Sequence, residues 1–160
     1  MSSLASHFAG GRDYLAACTL GLPSRATVAA VRADLESAAS GRPDVVAASL
    51  AVEEARASYA RLVSSPVSDV AIGSQTSVQV ALLAASVPDG AEVLCAEGDF
   101  SSLVAPFAHA GRGVRLRTAP LRELAAAVSP DTWLVAFSLV QSATGEVADA
   151  AGIRDLSGGR

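Results

Sequence analysis

At 160 residues and 16.0 kDa, with 51% hydrophobic residues, 18% charged residues and a mean hydropathy of +0.38, the chain can bury a real core and is unusually apolar. A net charge of −4, a pI near 5.1 and 4% aromatic residues exclude a dominant basic stripe and a base-stacking platform, so no nucleic-acid partner is expected. All 12 basic residues are arginine, and chemistry that requires a lysine amine cannot be completed by these residues.

Met1 to Asp13 is a Ser/Gly/Ala tail with little to fold around. Leu15-Ala16-Ala17-Cys18 superficially resembles a lipoprotein cleavage site, but the preceding residues include Arg12 and Asp13 and no apolar core of signal-peptide length. No apolar run is long enough to span a bilayer, so the expectation is a cytoplasmic protein with no membrane partner. Cys18 and Cys95 have no companion His or Cys at ligand spacing, and neither a metal site nor a disulfide framework is indicated. Tyr14 to Pro23 reads as an apolar extended segment ended by Gly21 and Pro23. Ser24 should cap a helix to about Ser40, with Val28, Val31 and Leu35 on one stripe. After the break at Gly41 to Pro43, a second helix is expected from Val45 or Leu50 to Val63. Val52, Ala55, Tyr59, Leu62 and Val63 should face inward.

Val70 to Val87 is the most informative stretch. A β-branched run, a polar turn at Gly73-Ser74-Gln75 and an Ala/Leu/Val segment opening at Thr76 read as strand, tight turn and helix. Such a turn aims unpaired helix N–H groups and the positive end of the helix dipole at one point, where an anion such as a phosphate is the natural guest. The alternative is that Ser74 or Thr76 merely caps a buried helix. Further strands are expected at Glu92 to Ala96, Val114 to Thr118 and Thr132 to Leu139, with helices at Ser101 to Ala110 and Leu121 to Val128. Starts roughly twenty residues apart suit parallel crossovers rather than hairpins, which makes this an α/β sheet. Arg115 and Arg117 alternate with Val114 and Leu116, as on an edge strand whose arginines are solvated.

Tyr14-Leu15 with Gly21-Leu22-Pro23, then SSPVSDVAIGSQTS, PDGAEVLCAEGDFSSLVAPF and LVAFSLVQSATGEVADAAGIRDL, in that order, resemble the first part of a class V aminotransferase. This is the cysteine desulfurase-like family of fold-type-I pyridoxal phosphate enzymes, and the resemblance covers Tyr14 to Leu156. It implies N-terminal helices followed by an incomplete, mainly parallel sheet flanked by helices, part of the large domain of that fold. The implied organisation is an N-terminal segment over 1–63, a partial cofactor-binding domain over 64–156 and a tail over 157–160.

The resemblance also implies a cofactor, pyridoxal 5'-phosphate, and places its phosphate at Gln75, Thr76 and Ser77. It places the stacking of the cofactor ring at Phe100 and the contact to the ring oxygen at Gln141 or Ser142, between which the sequence does not choose. Cys18 and Thr19 match small positions on the substrate side. The complete enzyme would be a homodimer that transforms a small amino-acid substrate through an aldimine. The family's Schiff-base lysine and the aspartate that pairs with the pyridine nitrogen are both missing before Arg160, so the expectation is an N-terminal part without catalytic residues, inactive alone. A non-catalytic α/β phosphate-ligand-binding domain or a split-enzyme interaction domain is the competing expectation, though neither GxGxxG nor GxxxxGK[ST] occurs.

Sheet order separates these readings. A self-sufficient nucleotide-binding half would run Val114, Glu92, Val70, Thr132. The resemblance implies that the Glu92 strand lies between the Val114 and Thr132 strands, with Val70 to Gly73 left without sheet partners.

Overall fold

The computed structural model describes residues 4–11, 13–17 and 19–157, and the chain divides into two compact units, one ending at Ile72 and the other beginning at Gly73. Cys18 and the tail beyond Ser157 lie outside the described residues.

In the first unit a 3-10 turn at Leu4–His7 precedes two helices, α1 (Arg25–Ala39) and α2 (Val45–Val63). Each begins with its own side-chain cap. Ser24 accepts from the Thr27 amide at 3.1 Å, and Asp44 accepts from the Ala47 amide at 2.8 Å, so each satisfies an otherwise orphaned donor. Tyr14 to Pro23 is not extended throughout: among its described residues Ala17, Thr19 and Leu20 lie in turns or bends. The Tyr14 hydroxyl donates to the Leu20 carbonyl at 2.7 Å and folds the segment into a turn. The inward face expected for α2 is also not found: Val52, Ala55, Tyr59, Leu62 and Val63 are all exposed, and Ala60 alone is buried among the described residues of this unit. An amphipathic stripe is buried only when another layer lies on it, and this unit supplies no such layer.

Val70 to Gly73 joins no sheet, which corrects the strand expected there. A 3-10 turn at Val67–Asp69 precedes it, and the Arg56 guanidinium of α2 donates to the Val70 carbonyl at 2.8 Å and the Val67 carbonyl at 3.0 Å. A side chain thus satisfies backbone acceptors that a sheet partner would otherwise have taken.

The second unit is a three-layer α/β arrangement. Helix α3 (Thr76–Ser86) leads to strand β1 (Glu92–Ala96), helix α4 (Ser101–Ala108), strand β2 (Arg115–Ala119), strand β3 (Thr132–Ala136) and helix α5 (Ala150–Ser157). The sheet order is β2-β1-β3, with both pairings parallel. Strand β1 is buried along its whole length, as its unbroken run Val93-Leu94-Cys95-Ala96 requires of a central parallel strand. Val93 and Cys95 pack on one face with Val80 and Ala84 of α3, Val87 just after it, and Phe107 of α4. Leu94 and Ala96 pack on the other with Leu124, Ala148 and Ile153.

Strand β2 is an edge as expected, but its arginines are not merely solvated. Arg117 donates to the buried Glu92 carboxylate at 2.9 Å, to the Ala127 carbonyl at 2.6 Å and to the Thr132 hydroxyl at 3.4 Å. Arg115 lies 3.8 Å from the other Glu92 oxygen. The helix expected over Leu121 to Val128 is instead a 3-10 turn, Leu121–Glu123, followed by further turns. Pro120 starts it, and the Arg117 guanidinium holds the carbonyl of Ala127, near the end of these turns.

Candidate functional site

The carboxyl ends of parallel strands are where an α/β sheet gathers loops that can hold a ligand. Helix α3 precedes β1 through the short 87–91 connection and packs back on it, so its amino end lies toward the carboxyl end of β1. Val80 contributes to the core shared with Cys95, and Thr76 lies one helical turn beyond Val80, about 5–6 Å along the axis.

Gln75 holds the N-cap position of α3 in an extended conformation, φ −165° and ψ 156°, and no side chain caps the helix. Capping by Ser74 or Thr76, the alternative open from sequence, is therefore not what these residues do. Unlike α1 and α2, α3 begins with first-turn amides that no side chain satisfies. Gln75 and Thr76 are exposed and Ser77 is half-buried.

At the end of β1 the chain turns through Glu97 and Gly98. Gly98 takes φ +71°, a left-handed conformation that a side chain would strain. Asp99 follows, and Phe100 opens α4 with 56% of its surface exposed, so it is not a core residue. From the end of β3 the chain enters a small hairpin. Val140 bridges Val147, the Gln141 amide donates to the Glu146 carbonyl at 2.8 Å, and the Gly145 amide donates to the Gln141 carbonyl at 2.8 Å. Ser142 is exposed in the turn of this hairpin, whereas Gln141 is buried at its base.

The two loops are joined by Asp99, a residue that sequence reasoning did not single out. Its Oδ1 accepts from the Ser138 hydroxyl and the Phe100 amide, both at 2.6 Å. Its Oδ2 accepts from the Ser138 amide at 2.7 Å and from Gln141 Nε2 at 3.1 Å. An acid directly after a glycine, just past the apolar run that ends β1, was the signal for it. Burial pushes the Asp99 carboxyl up, but the Ser138 hydroxyl and amide, the Gln141 amide and the Phe100 amide outweigh that and hold it below the usual carboxylate range. Burial above all, and then the Asp99 charge, pushes the Cys95 thiol up to about 12, so it stays a neutral core residue and not a nucleophile.

Glu92 is likewise held below its ordinary value, by the Arg117 hydrogen bond against the opposing effect of burial, with help from Thr132 and the charges of Arg117 and Arg115. Both carboxyls are thus more acidic folded than unfolded. Their stabilisation is complete above the unfolded values and is lost as pH falls through the folded ones. Denaturant midpoints are expected to hold from about pH 7 down to about pH 5 and to fall steeply below about pH 4. A midpoint that rises on acidification would contradict this assignment.

The fold, helices and a three-stranded parallel sheet in an α/β arrangement, matches part of a fold-type-I pyridoxal-phosphate-dependent transferase domain. The particular likeness is to a solved structure of C-DES, a lysine-to-alanine mutant with glycine covalently linked to its pyridoxal phosphate cofactor, at a TM-score of 0.81 and 18% sequence identity. The match covers 97% of this chain and 46% of that one, so this chain spans about half the length of the structure it resembles. No protein-family model matches the chain, and no curated protein matches its sequence. Among the described residues, no helix is long and apolar enough to cross a membrane.

Proposed function

We propose that these residues form the phosphate- and ring-binding part of a pyridoxal-phosphate-dependent enzyme of the class V aminotransferase, cysteine desulfurase-like kind. The observation that supports this most is the β2-β1-β3 order with Val70 to Gly73 outside the sheet, which a self-sufficient nucleotide-binding half would not have.

The residues present fit the group. The uncapped amides of Thr76 and Ser77, with both hydroxyls and the helix dipole, suit a phosphate dianion, and Gln75 borders them. The exposed Phe100 ring suits stacking on a flat heteroaromatic and would shed water from one face of it. Gln141 and Ser142 stand on the hairpin as candidates for the ring oxygen. When bound, pyridoxal phosphate supplies an electrophilic carbonyl and an electron-accepting ring. Phe100 can orient such a ring but can neither give nor take a proton. No side chain of these 160 residues carries a primary amine. We therefore assign the chain alone binding and no turnover, and assign to a complete enzyme a small amino-acid substrate, a homodimeric state and a cytoplasmic location.

Calorimetry tests the phosphate subsite. Thr76→Ala/Ser77→Ala is expected to weaken pyridoxal phosphate binding by about 1–3 kcal/mol, the net worth of two ordinary hydrogen bonds. Unchanged affinity would remove the subsite from this turn. Inorganic phosphate binding as tightly as pyridoxal phosphate would favour a general phosphate-ligand domain instead.

A further inference from the structure

The connection from α3 to β1 holds the only Asp-Gly step of the chain, Asp89-Gly90, and the sequence contains no asparagine. Asp-Gly is the step at which a backbone rearranges most readily, because glycine has no side chain to shield its amide nitrogen. That nitrogen attacks the Asp Cγ, an N–C bond replaces a C–O bond, and the carboxyl OH leaves with the amide proton as water. Water then opens the five-membered imide. Opening at the original backbone carbonyl leaves the chain running through the side chain, as isoaspartate, with no oxidant consumed and no net change of mass.

Both reacting groups are held by one residue. The Gly90 amide donates to the Arg112 carbonyl at 3.0 Å, and Arg112 Nη1 donates to Asp89 Oδ1 at 3.1 Å. The Ala91 amide closes the turn on the Pro88 carbonyl at 3.1 Å, and Arg115 Nε donates to the Gly90 carbonyl at 3.3 Å. Arg112 takes φ +51° between Gly111 at +66° and Gly113 at +70°, a left-handed conformation uncommon outside glycine. Its Nη2 is anchored on the Ala84 and Ala85 carbonyls of α3 at 3.0 and 3.3 Å. With 77% of the Asp89 side chain exposed, the ion pair adds little to stability, so its effect falls on reactivity.

We propose that Arg112 guards the Asp89-Gly90 bond and that Asp89 is a latent site of isoaspartate formation. The Arg112 carbonyl fixes the plane of the attacking amide. Its guanidinium pins the carboxylate, which must turn onto that nitrogen and be protonated before an oxygen can leave. Rearrangement then requires local opening of residues 111–113. It would add a methylene to the backbone between α3 and β1, in the connection that seats α3 on the core.

The test ages the full chain near neutral pH beside a synthetic peptide of residues 86–92 and the same chain unfolded in urea, with isoaspartate quantified by peptide mapping and by enzymatic methylation. The folded chain is expected to rearrange at Asp89 at least about tenfold more slowly than the peptide or the unfolded chain. Arg112→Ala removes the guanidinium and disfavours the left-handed backbone, and should raise the folded rate at least about fivefold. Arg112→Gly keeps the backbone conformation and the carbonyl acceptor, should give an intermediate rate, and serves if Arg112→Ala does not fold. Asp89→Glu should abolish the signal.

A folded parent that rearranges within about twofold of the peptide would overturn the proposal, as would an Arg112→Ala variant, folded by its urea midpoint, that stays within about twofold of the parent. An Arg112→Gly variant no faster than the parent would remove the guanidinium from the guard. Isoaspartate that persists in Asp89→Glu would place the reactive step elsewhere.

Discussion

Pyridoxal phosphate incubated with the full chain and then reduced with borohydride is expected to leave no modified side chain, only a partial adduct at the terminal amine. Covalent attachment needs a primary amine with its lone pair free, and the 12 basic residues are all arginine, whose guanidinium stays protonated at any working pH. The thiol of Cys95 is no substitute, since burial pushes it up to about 12 and it lies in the core of the sheet. The expected effect is all-or-none: peptide mass spectrometry should find the pyridoxyl mass on residue 1 or nowhere. A stoichiometric adduct that survives blocking of the terminal amine, mapped to any interior peptide, would sink the prediction. Binding without attachment remains fully compatible with the contacts proposed at Gln75, Thr76, Ser77, Phe100, Gln141 and Ser142, which is why affinity rather than turnover is the measurement for those residues.

Phe107→Ala should be the most damaging single core substitution. Phe107 is 1% exposed, the largest of the fully buried side chains, and lies between α3 and β1 among Val80, Ala84, Val87, Val93 and Cys95. Truncating such a residue removes its transfer free energy and leaves a cavity that the sheet cannot close, about 3–5 kcal/mol in total. Against a typical total of about 5–15 kcal/mol, that is enough to leave much of the population unfolded near physiological temperature. Urea denaturation should show a midpoint lowered in proportion with an unchanged slope. Phe100→Ala is the control. With 56% of Phe100 exposed, the loss there should stay below about 1 kcal/mol. An equal loss at both phenylalanines would mean that Phe100 is a packing residue and would remove it from the ring-binding role.

Local patterning carried most of the elements. Ser24 announces helix α1 because capping is a contact within four residues, and the apolar run Val93 to Ala96 announces a buried strand because only burial on both faces tolerates it. Composition alone decided that none of these 160 residues can supply a lysine amine, since an absent residue type needs no fold to be absent. The order β2-β1-β3 was left open by the sequence, because crossover lengths permit Val70 to Gly73 in the middle of the sheet as readily as outside it. The Arg56 bonds to Val67 and Val70 come from residues 11 and 14 positions away, and no local pattern encodes them.

The same distance in sequence hid the two carboxylates. The alternation of Arg115 and Arg117 reads as a solvated edge until β1 places Glu92 beside them, 25 residues from Arg117, where a buried charge requires a partner. Asp99 reads as a turn residue until β3 brings Ser138 and Gln141, 39 and 42 residues on, into contact with it. Gln141 and Ser142 were indistinguishable as neighbours in the chain. Only the tertiary structure separates their surroundings, because Asp99 of the loop after β1 reaches the side-chain amide of Gln141 and buries it, while Ser142 is left exposed in the turn.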